Sequence, residues 1–447
     1  MISKILIANR GEIAVRIIRA ARELGLETIL VYSQADKESL GVRLADQAVC
    51  IGPPPAAESY LFYQNIISAA LSLKADAIHP GYGFLAENWQ FADACRAMKL
   101  RFIGPRSNVI REMGDKARAK ELMKESGVPV VPGSDGIVES LAQAVEAAET
   151  TGYPIIIKAS AGGGGKGMRI VCQEKELEKA FNSASTEAQK AFGDSRVYIE
   201  KYISSPKHIE VQVLGDRHGN VVHLFERDCS IQRRHQKLVE EAPSAIIDEE
   251  TRSRMGELAV KAAGSVGYDS AGTIEFLFDQ ETKEFYFMEM NTRIQVEHPV
   301  SEAITGVDLI KYQFKIANGE KLELEQKDIR RSGHSIECRI NAEDPDKDFN
   351  PAPGKITQLM LPGGPGVRID SGVYPGYTIP PFYDSMVAKL ITWGTDRREA
   401  VERMKRALAE FYIEGIKTTI PFHQKVMKNK EFLRGQYTTD FVGKFMQ

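Results

Sequence analysis

Apolar residues in the first hundred positions come in short runs separated by amphipathic stretches. "KILIAN" reads as a strand, residues 12–24 as a helix that Gly25 stops, and "ETILVYS" as a second strand. "SYLFYQNIISAALSL" follows as a helix, "ADAIHP" as a strand, "NWQFADACRAM" as a helix and "RFIGP" as a strand. Strands alternating with helices predict a parallel sheet covered on its faces. The first strand–helix turn is "NRGE", without the GxGxxG spacing that a dinucleotide pyrophosphate requires, so no such site is expected there.

Further along, "GVPVVPGSDG" (127–136) is rich in Pro and Gly and reads as a linker or hinge. A small unit then holds a helix around 139–150, the strand "YPIIIKAS", a glycine loop, another strand, a helix near 174–191 and the strand "VYIEKYI". Residues 207–330 mix long strands with helices. From about Gly333 the chain is strand- and turn-rich, with helices from residue 397. With 447 residues, 43% of them hydrophobic, two or three domains are expected.

Charge and composition exclude more than they assign. A formal net charge of −3 gives no general attraction to nucleic acid or anionic membranes. No apolar run approaches the roughly 20 residues that span a bilayer. Asn9, Arg10 and Glu12 interrupt the first apolar stretch too early for a signal peptide. Cys50, Cys95, Cys172, Cys229 and Cys338 are dispersed, with no CxxC pair, which argues against a disulfide framework or structural zinc. Reduced thiols in a cytoplasmic enzyme are the expectation.

Three stretches carry candidate chemistry. In "KASAGGGGKGMRI" (158–170), Gly162, Gly163, Gly164 and Gly165 cost backbone entropy that close approach to phosphate oxygens would justify, with Lys166 adding charge. It is no Walker loop, because Ser160 and Gly167 stand where glycine and Ser/Thr are needed. A strand–loop–strand setting suggests a mobile lid over a triphosphate; the alternative is a flexible surface hairpin. In "GTIEFLFDQETKEFYFMEMN", two apolar strands each hold one carboxylate, Glu275 and Glu289. Such a pair repels unless a cation lies between, so Glu275, Glu289 and Asn291 are candidate magnesium ligands. In "EMNTRIQVEHP", Glu289, Asn291, Arg293, Gln295 and Glu297 alternate with Met290, Thr292, Ile294 and Val296, which in extended chain puts five polar groups on one face.

Together with "IANRGEIAVRIIRA", "HPGYGFLAEN", "MGDK", "ERDCSIQRRHQKLVEEAP", "ECRINAEDP" and "YDSMVAKL", in that order and spacing, these stretches resemble the biotin carboxylase family of ATP-grasp ligases over nearly the whole chain. The resemblance implies a multidomain α/β and α+β fold. Its parts would be a Rossmann-like N-terminal domain (1–113), an ATP-grasp domain with a mobile glycine-loop lid (114–330, lid about 131–203) and a β-rich C-terminal domain (331–447). It also implies residue roles. Lys116 and Lys158 would contact ATP phosphates beneath the glycine loop, while Glu200, Lys201, Tyr202 and Ile203 form the adenine hinge. His208, Gln232, His235 and Leu277 would line the rest of the nucleotide pocket. Glu275 and Glu289, with Asn291, would hold magnesium or manganese, two ions in all. Lys237, Arg293, Gln295, Val296 and Glu297 match the bicarbonate site, and Arg339, bordered by Tyr82 and Gly83, would face biotin.

The chemistry implied is attack of bicarbonate on ATP to give carboxyphosphate, with Glu297 as base, then carboxylation of biotin. Partners would be a separate biotin carboxyl carrier protein and carboxyltransferase subunits. The carrier is expected to be separate because "RAMKLR" puts Lys99 at a helix end rather than on a biotinyl hairpin, and no other stretch up to Gln447 offers one. The first half-reaction of acetyl-CoA carboxylation in fatty-acid synthesis is the leading expectation. A pyruvate or other acyl-CoA system, a different ATP-grasp ligase and a non-catalytic ATP sensor are the alternatives. The family's two-fold dimer places the first helix at the interface, although by themselves Arg16, Arg19 and Glu23 read as a solvated face. Lys166 stands where many relatives carry arginine, keeping the charge but losing the bidentate fork. His79 reads equally as part of a structural turn, and Arg233–Lys237 as an anion site rather than a nucleic-acid patch, given the neighbouring Glu226, Asp228, Glu240 and Glu241.

Overall fold

Parallel strands carry the N-terminal hundred residues, in the order Gln47–Gly52, Glu27–Ser33, Lys4–Ile7, Ala77–His79 and Arg101–Phe102. The helices Gly11–Glu23, Tyr63–Ser72 and Trp89–Ala97 lie between them in sequence, as the apolar spacing predicts. The coordinates are a computed structural model that describes residues 1–159, 168–192 and 194–446. Two differences from the expected elements are local. The helix expected from Ser59 begins only at Tyr63, because Tyr60 is drawn into the core with its hydroxyl 2.7 Å from Asp36. Gln47–Gly52 is a further strand, absent from the expected elements although Ala48–Ile51 is an apolar run; it lies at the sheet edge, with only Ile51 fully buried.

Contacts divide the chain into two units, residues 1–122, 208–275 and 289–447 in one, and residues 123–207 and 276–288 in the other. In the first, strands Lys207–Gly215, Val221–Arg233, Gln236–Ala242, His334–Asn341, Met386–Gly394 and Val367–Ser371 lie side by side in that order. The same sheet takes in Ala271–Phe278, whose residues up to Glu275 belong to this unit. Its pairing runs directly from Val239 opposite Cys338 to Ala242 opposite Ser335, so no break separates residues before and after 331.

The second unit has a three-stranded antiparallel sheet, Arg169–Val171, Ile155–Ala159 and Val197–Lys201, with helices Leu141–Thr151 and Leu177–Phe192 packed on it. Residues 127–136 are not a free linker. The Ser134 and Lys201 N–H groups donate to Ile199 and Pro132 carbonyls, and Phe287 N–H donates to Pro129. Gly133 approaches so closely that a Cβ there would lie 2.2 Å from the Ile199 carbonyl oxygen, which explains the glycine. The four phenylalanines Phe276, Phe278, Phe285 and Phe287 are buried, as their flanking of the carboxylates implies. Gly162, Gly163, Gly164, Gly165 and Lys166, expected to form the phosphate loop, lie outside the described residues.

Two further expectations change. Strand geometry ends at Asn291, so Arg293, Gln295 and Glu297 do not continue one extended ribbon; Glu297 is already the N-cap position of helix His298–Thr305. The alternation there arises from a turn that buries Ile294, Gln295 and Glu297 alike. Arg16 is not solvated: it is buried, with Nη2 3.0 Å from Glu302 and 2.7 Å from Asp308, while Glu23 meets Lys311 at 2.6 Å. Helical spacing alone does not tell a solvated arginine from one paired with distant carboxylates.

A second buried charge cluster ties the end of the chain to the sheet. Glu241, on Gln236–Ala242, accepts from Arg397 Nε at 2.7 Å, lies 2.7 Å from His334 Nε2, and takes a short bond from the Tyr437 hydroxyl. Burial alone would raise its pKa, but Arg397 and His334 outweigh it and hold the carboxyl well below its ordinary 4.5. Its stabilising contribution is therefore present above pH 4.5 and lost as pH falls toward the depressed folded value. Glu241→Gln should destabilise the fold by about 3 kcal/mol at pH 7 and flatten the acid side of a melting-temperature profile.

Candidate active site

Arg227 stands in the interior of strand Val221–Arg233 with no exposed surface, where a guanidinium needs every donor used. Nε donates to Glu210 at 2.5 Å, Nη1 to Gln212 and Ser301 at 2.6 and 3.0 Å, and Nη2 to Thr273 and Gln295 at 3.1 and 2.7 Å. Glu210 and Gln212 alternate along the neighbouring strand, so one arginine ties three elements to the turn that carries Gln295.

Lys237 is the second organising cation. It lies opposite Gln232 beside the two-residue turn Arg234–His235, whose positive φ values of 49° and 65° suit a tight hairpin. Its ammonium donates to Glu210 at 2.6 Å, Glu275 at 2.9 Å and Glu297 at 2.6 Å. Burial would lower the lysine pKa, but the three carboxylates raise it well above its ordinary value. Against burial, Lys237 and His208 hold Glu275 well below the usual carboxylate range, and Arg227 with Lys237 holds Glu210 at about 2. Glu297 is lowered too: burial pushes it up, and Lys237 and Arg339 overcome that.

Glu297 is the meeting point. One carboxylate oxygen takes the Lys237 bond and the other accepts from Arg339 Nη2 at 2.9 Å, while Arg339 Nε donates to Glu240 at 2.6 Å. The N-terminal end of helix His298–Thr305 favours a negative charge at this position, although the side chain makes no capping bond. Lys389, fully buried, holds the preceding turn through the Val296 carbonyl at 2.8 Å. Arg293 donates Nε to Glu87 at 2.8 Å and Nη2 to Asn291 at 2.8 Å. Lys237, Arg293, Gln295, Glu297 and Arg339 are thus joined within one bonded network, with Val296 next to Glu297 in the chain and bonded to Lys389.

The carboxylates of the hairpin behave differently from each other. Glu275 Oε1 accepts from Lys237, from Asn291 Nδ2 at 3.0 Å and from Gln295 Nε2 at 2.8 Å, and His208 Nε2 lies 2.9 Å from Oε2. The protein's own cations therefore balance Glu275, and the inference that an ion must separate it from Glu289 loses its force. Glu289 is half-exposed and lies 3.4 Å from the mostly exposed Lys116. His208, with its backbone N–H on Ser230, has its pKa raised: burial lowers it, and Glu275 more than restores it.

Tyr82 turns its hydroxyl to Glu12 on the first helix, and Gly83 follows with φ +67°. His79 is structural, accepting from Gly81 N–H at 3.1 Å, with burial lowering its pKa to about 3. In the second unit, Lys158 Nζ meets Glu200 at 2.5 Å. The Lys201 ammonium turns to the carbonyls of Gly152 and Tyr153, Tyr202 N–H donates to Pro154, and Ile203 is buried. Leu277 is half-buried, and His235 sits exposed at its turn. Sequence reasoning misses Glu87, Glu210, Arg227, Glu240 and Lys389. Glu210 does leave a signal, a carboxylate between Ile209 and Val211, whereas Arg227 is hidden between Glu226 and Asp228 in a mixed-polarity strand.

Three family models match the chain: biotin carboxylase, N-terminal domain over residues 1–110; carbamoyl-phosphate synthase L chain, ATP binding domain over 115–325; and biotin carboxylase C-terminal domain over 337–444. The chain is 58% identical over 442 residues to biotin carboxylase 1 of Bacillus subtilis, covering 99% of this chain and 98% of that one. It is also 58% identical over 445 residues to a pyruvate carboxylase subunit of Methanothermobacter thermautotrophicus, covering 100% and 90%. Among solved structures, the biotin carboxylase domain dimer of Hydrogenobacter thermophilus 2-oxoglutarate carboxylase, in complex with magnesium ADP, ADP and bicarbonate, has a TM-score of 0.90 at 53% identity over 99% of this chain and 98% of that chain. Identity at this level from end to end, on the fold and buried charge network described above, means that the chain belongs to the biotin carboxylase family of ATP-dependent ligases.

Proposed function

We propose that this protein uses ATP and bicarbonate to carboxylate biotin borne by a separate carrier protein, with carboxyphosphate as the intermediate. One observation carries the assignment of roles: Glu297 is buried, ionised and gripped by a cation on each oxygen, Lys237 on one side and Arg339 on the other. A carboxylate so placed can take the proton of bicarbonate once the substrate displaces a cation from it, and the displaced Lys237 and the nearby Arg293 supply positive charge to the anion formed. Attack on the γ-phosphate breaks its bond to the bridging oxygen, releases ADP and gives the mixed anhydride, whose breakdown yields carbon dioxide and phosphate. Phosphate would accept the ureido proton of biotin, and Arg339 would stabilise the negative charge on the ureido oxygen as the N–C bond forms.

Glu275, Glu289 and Asn291 can offer magnesium oxygen donors once Glu275 and the Asn291 side-chain oxygen give up the Lys237 and Arg293 bonds they hold here, and magnesium when bound would supply charge to the ATP phosphates. Lys116 and Lys158, together with the glycine loop, fit phosphate contacts. Glu200, Lys201, Tyr202, Ile203, His208, Gln232, His235 and Leu277 fit the nucleotide's remaining surface by their match to the family. Domain limits of 1–113, 114–330 and 331–447 follow the same match. The dimeric state of the Hydrogenobacter relative supports a homodimer. No helix among the described residues is long and apolar enough to cross a membrane. A cytoplasmic location is part of the same proposal.

The acceptor system has two readings. Acetyl-CoA carboxylation is what the sequence resemblance implies, whereas 58% identity to a pyruvate carboxylase subunit favours a pyruvate system. Carboxylation of purified carriers from each system separates them: the true carrier should turn over about tenfold faster than free biotin, or more.

Glu297→Gln should retain ATP binding but lose bicarbonate-dependent ATP cleavage by about 100-fold, read as phosphate release with and without bicarbonate. Near-normal release would remove Glu297 as the base. Arg339→Ala should cut biotin carboxylation while leaving nucleotide affinity within about twofold, measured by calorimetry with ATP; a change in nucleotide affinity alone would place Arg339 elsewhere.

A further inference from the structure

Beside the catalytic network lies a pair of carboxyls that the proposed steps do not use. Glu240 and Glu337 stand directly opposite each other on the antiparallel strands Gln236–Ala242 and His334–Asn341, and neither has exposed surface. Opposite residues in such a ladder hold their Cβ atoms about 5 Å apart, within reach of each other's carboxyl groups. Glu240 Oε1 takes the Arg339 Nε bond, but Glu240 Oε2 and both oxygens of Glu337 receive no hydrogen bond from any described residue. Three bare carboxylate oxygens in an interior cost several kcal/mol if both groups are charged.

We propose that Glu240 and Glu337 share a single proton as a carboxylic acid–carboxylate pair, and that this pair positions the Arg339 guanidinium against Glu297. The inference rests on the reading of Arg339 as the residue facing biotin. One proton settles the geometry: the Glu337 acid O–H donates to Glu240 Oε2, and the remaining carboxylate charge faces Arg339 Nε. Burial pushes the Glu240 carboxyl up to about 7, against the pull of Arg339, and drives Glu337 well above its ordinary range. The charged groups facing the pair are Arg339 and Lys389 on the same sheet, Lys237 at the start of the Glu240 strand, and Glu297 at the helix end, with the buried thiols of Cys338 and Cys229 also near. Beyond Lys389 lie Glu12 on the first helix and Asp370 on Val367–Ser371, with Arg368 and His298 next to Asp370. Loss of the shared proton adds a second negative charge beside Arg339 and draws the guanidinium off Glu297. Glu240 and Glu337 are therefore positioning residues for the biotin step, and bicarbonate-dependent ATP cleavage does not need them.

Infrared spectra of the full-length protein near neutral pH test the proton, and pH profiles test its role. The wild type should show a protonated-carboxyl stretch that Glu337→Gln removes. Turnover of free biotin should decline on the alkaline side in the wild type, and Glu337→Gln, whose amide N–H cannot ionise, should flatten that limb. Glu240→Gln should lower kcat for biotin about tenfold with little change in the KM for ATP. Absence of the carboxyl band, or an alkaline limb identical in wild type and Glu337→Gln, overturns the proposal. If instead the band is present but Arg339→Ala still carboxylates biotin at full rate, the biotin-facing role of Arg339 fails while the shared proton stands.

Discussion

Burying several carboxylates on one sheet is tolerable only if cations enter with them. Glu210, Glu275 and Glu297 share Lys237, and Glu210 has Arg227 besides. In a medium that screens charge poorly each contact is strong, yet the desolvation of the ions nearly offsets it. Such a cluster adds little to net stability. What it secures is geometry, since removing any member leaves an uncompensated charge that the others cannot follow. The strands, the turn at Gln295 and the helix beginning at His298 are held in register by that requirement.

The same constraint readies the site for reaction. An exposed glutamate would be ionised but mobile and hydrated. Glu297 is ionised and dry, with each oxygen already directed at a group that can later hold substrate charge. The ammonium and guanidinium that keep it charged are also the groups best placed to receive an anion. Ground-state pairing and catalytic stabilisation therefore draw on the same three side chains, and substrate binding exchanges one counter-ion for another rather than building a site from disordered parts.

Much of this is legible in the chain. Short continuous apolar runs and helical spacing locate all the N-terminal parallel strands except Gln47–Gly52, and the Glu275–Glu289 hairpin, because most of those strands are buried on both faces. A carboxylate inside an apolar strand correctly marks Glu275 as unusual. The nature of its compensation is not legible, because Lys237 and His208 come from strands far away in sequence. Arg16 fails for the same reason: its partners Glu302 and Asp308 lie almost three hundred positions away. The shape of the run from Glu289 to Glu297 escapes the pattern, since alternation cannot distinguish extended chain from a turn that buries polar groups through hydrogen bonds. Residues 127–136 look loose because Pro and Gly dominate them, whereas Gly133 is there to let two backbones touch.

The unbroken pairing of Gln236–Ala242 with His334–Asn341 has a consequence for inheritance. A genetic cut near residue 330 would strip two interior strands of their neighbours and leave two sticky fragments, each with a row of bare peptide groups. The C-terminal portion is thus no detachable cassette, and duplication or shuffling in this lineage must carry both portions as one piece.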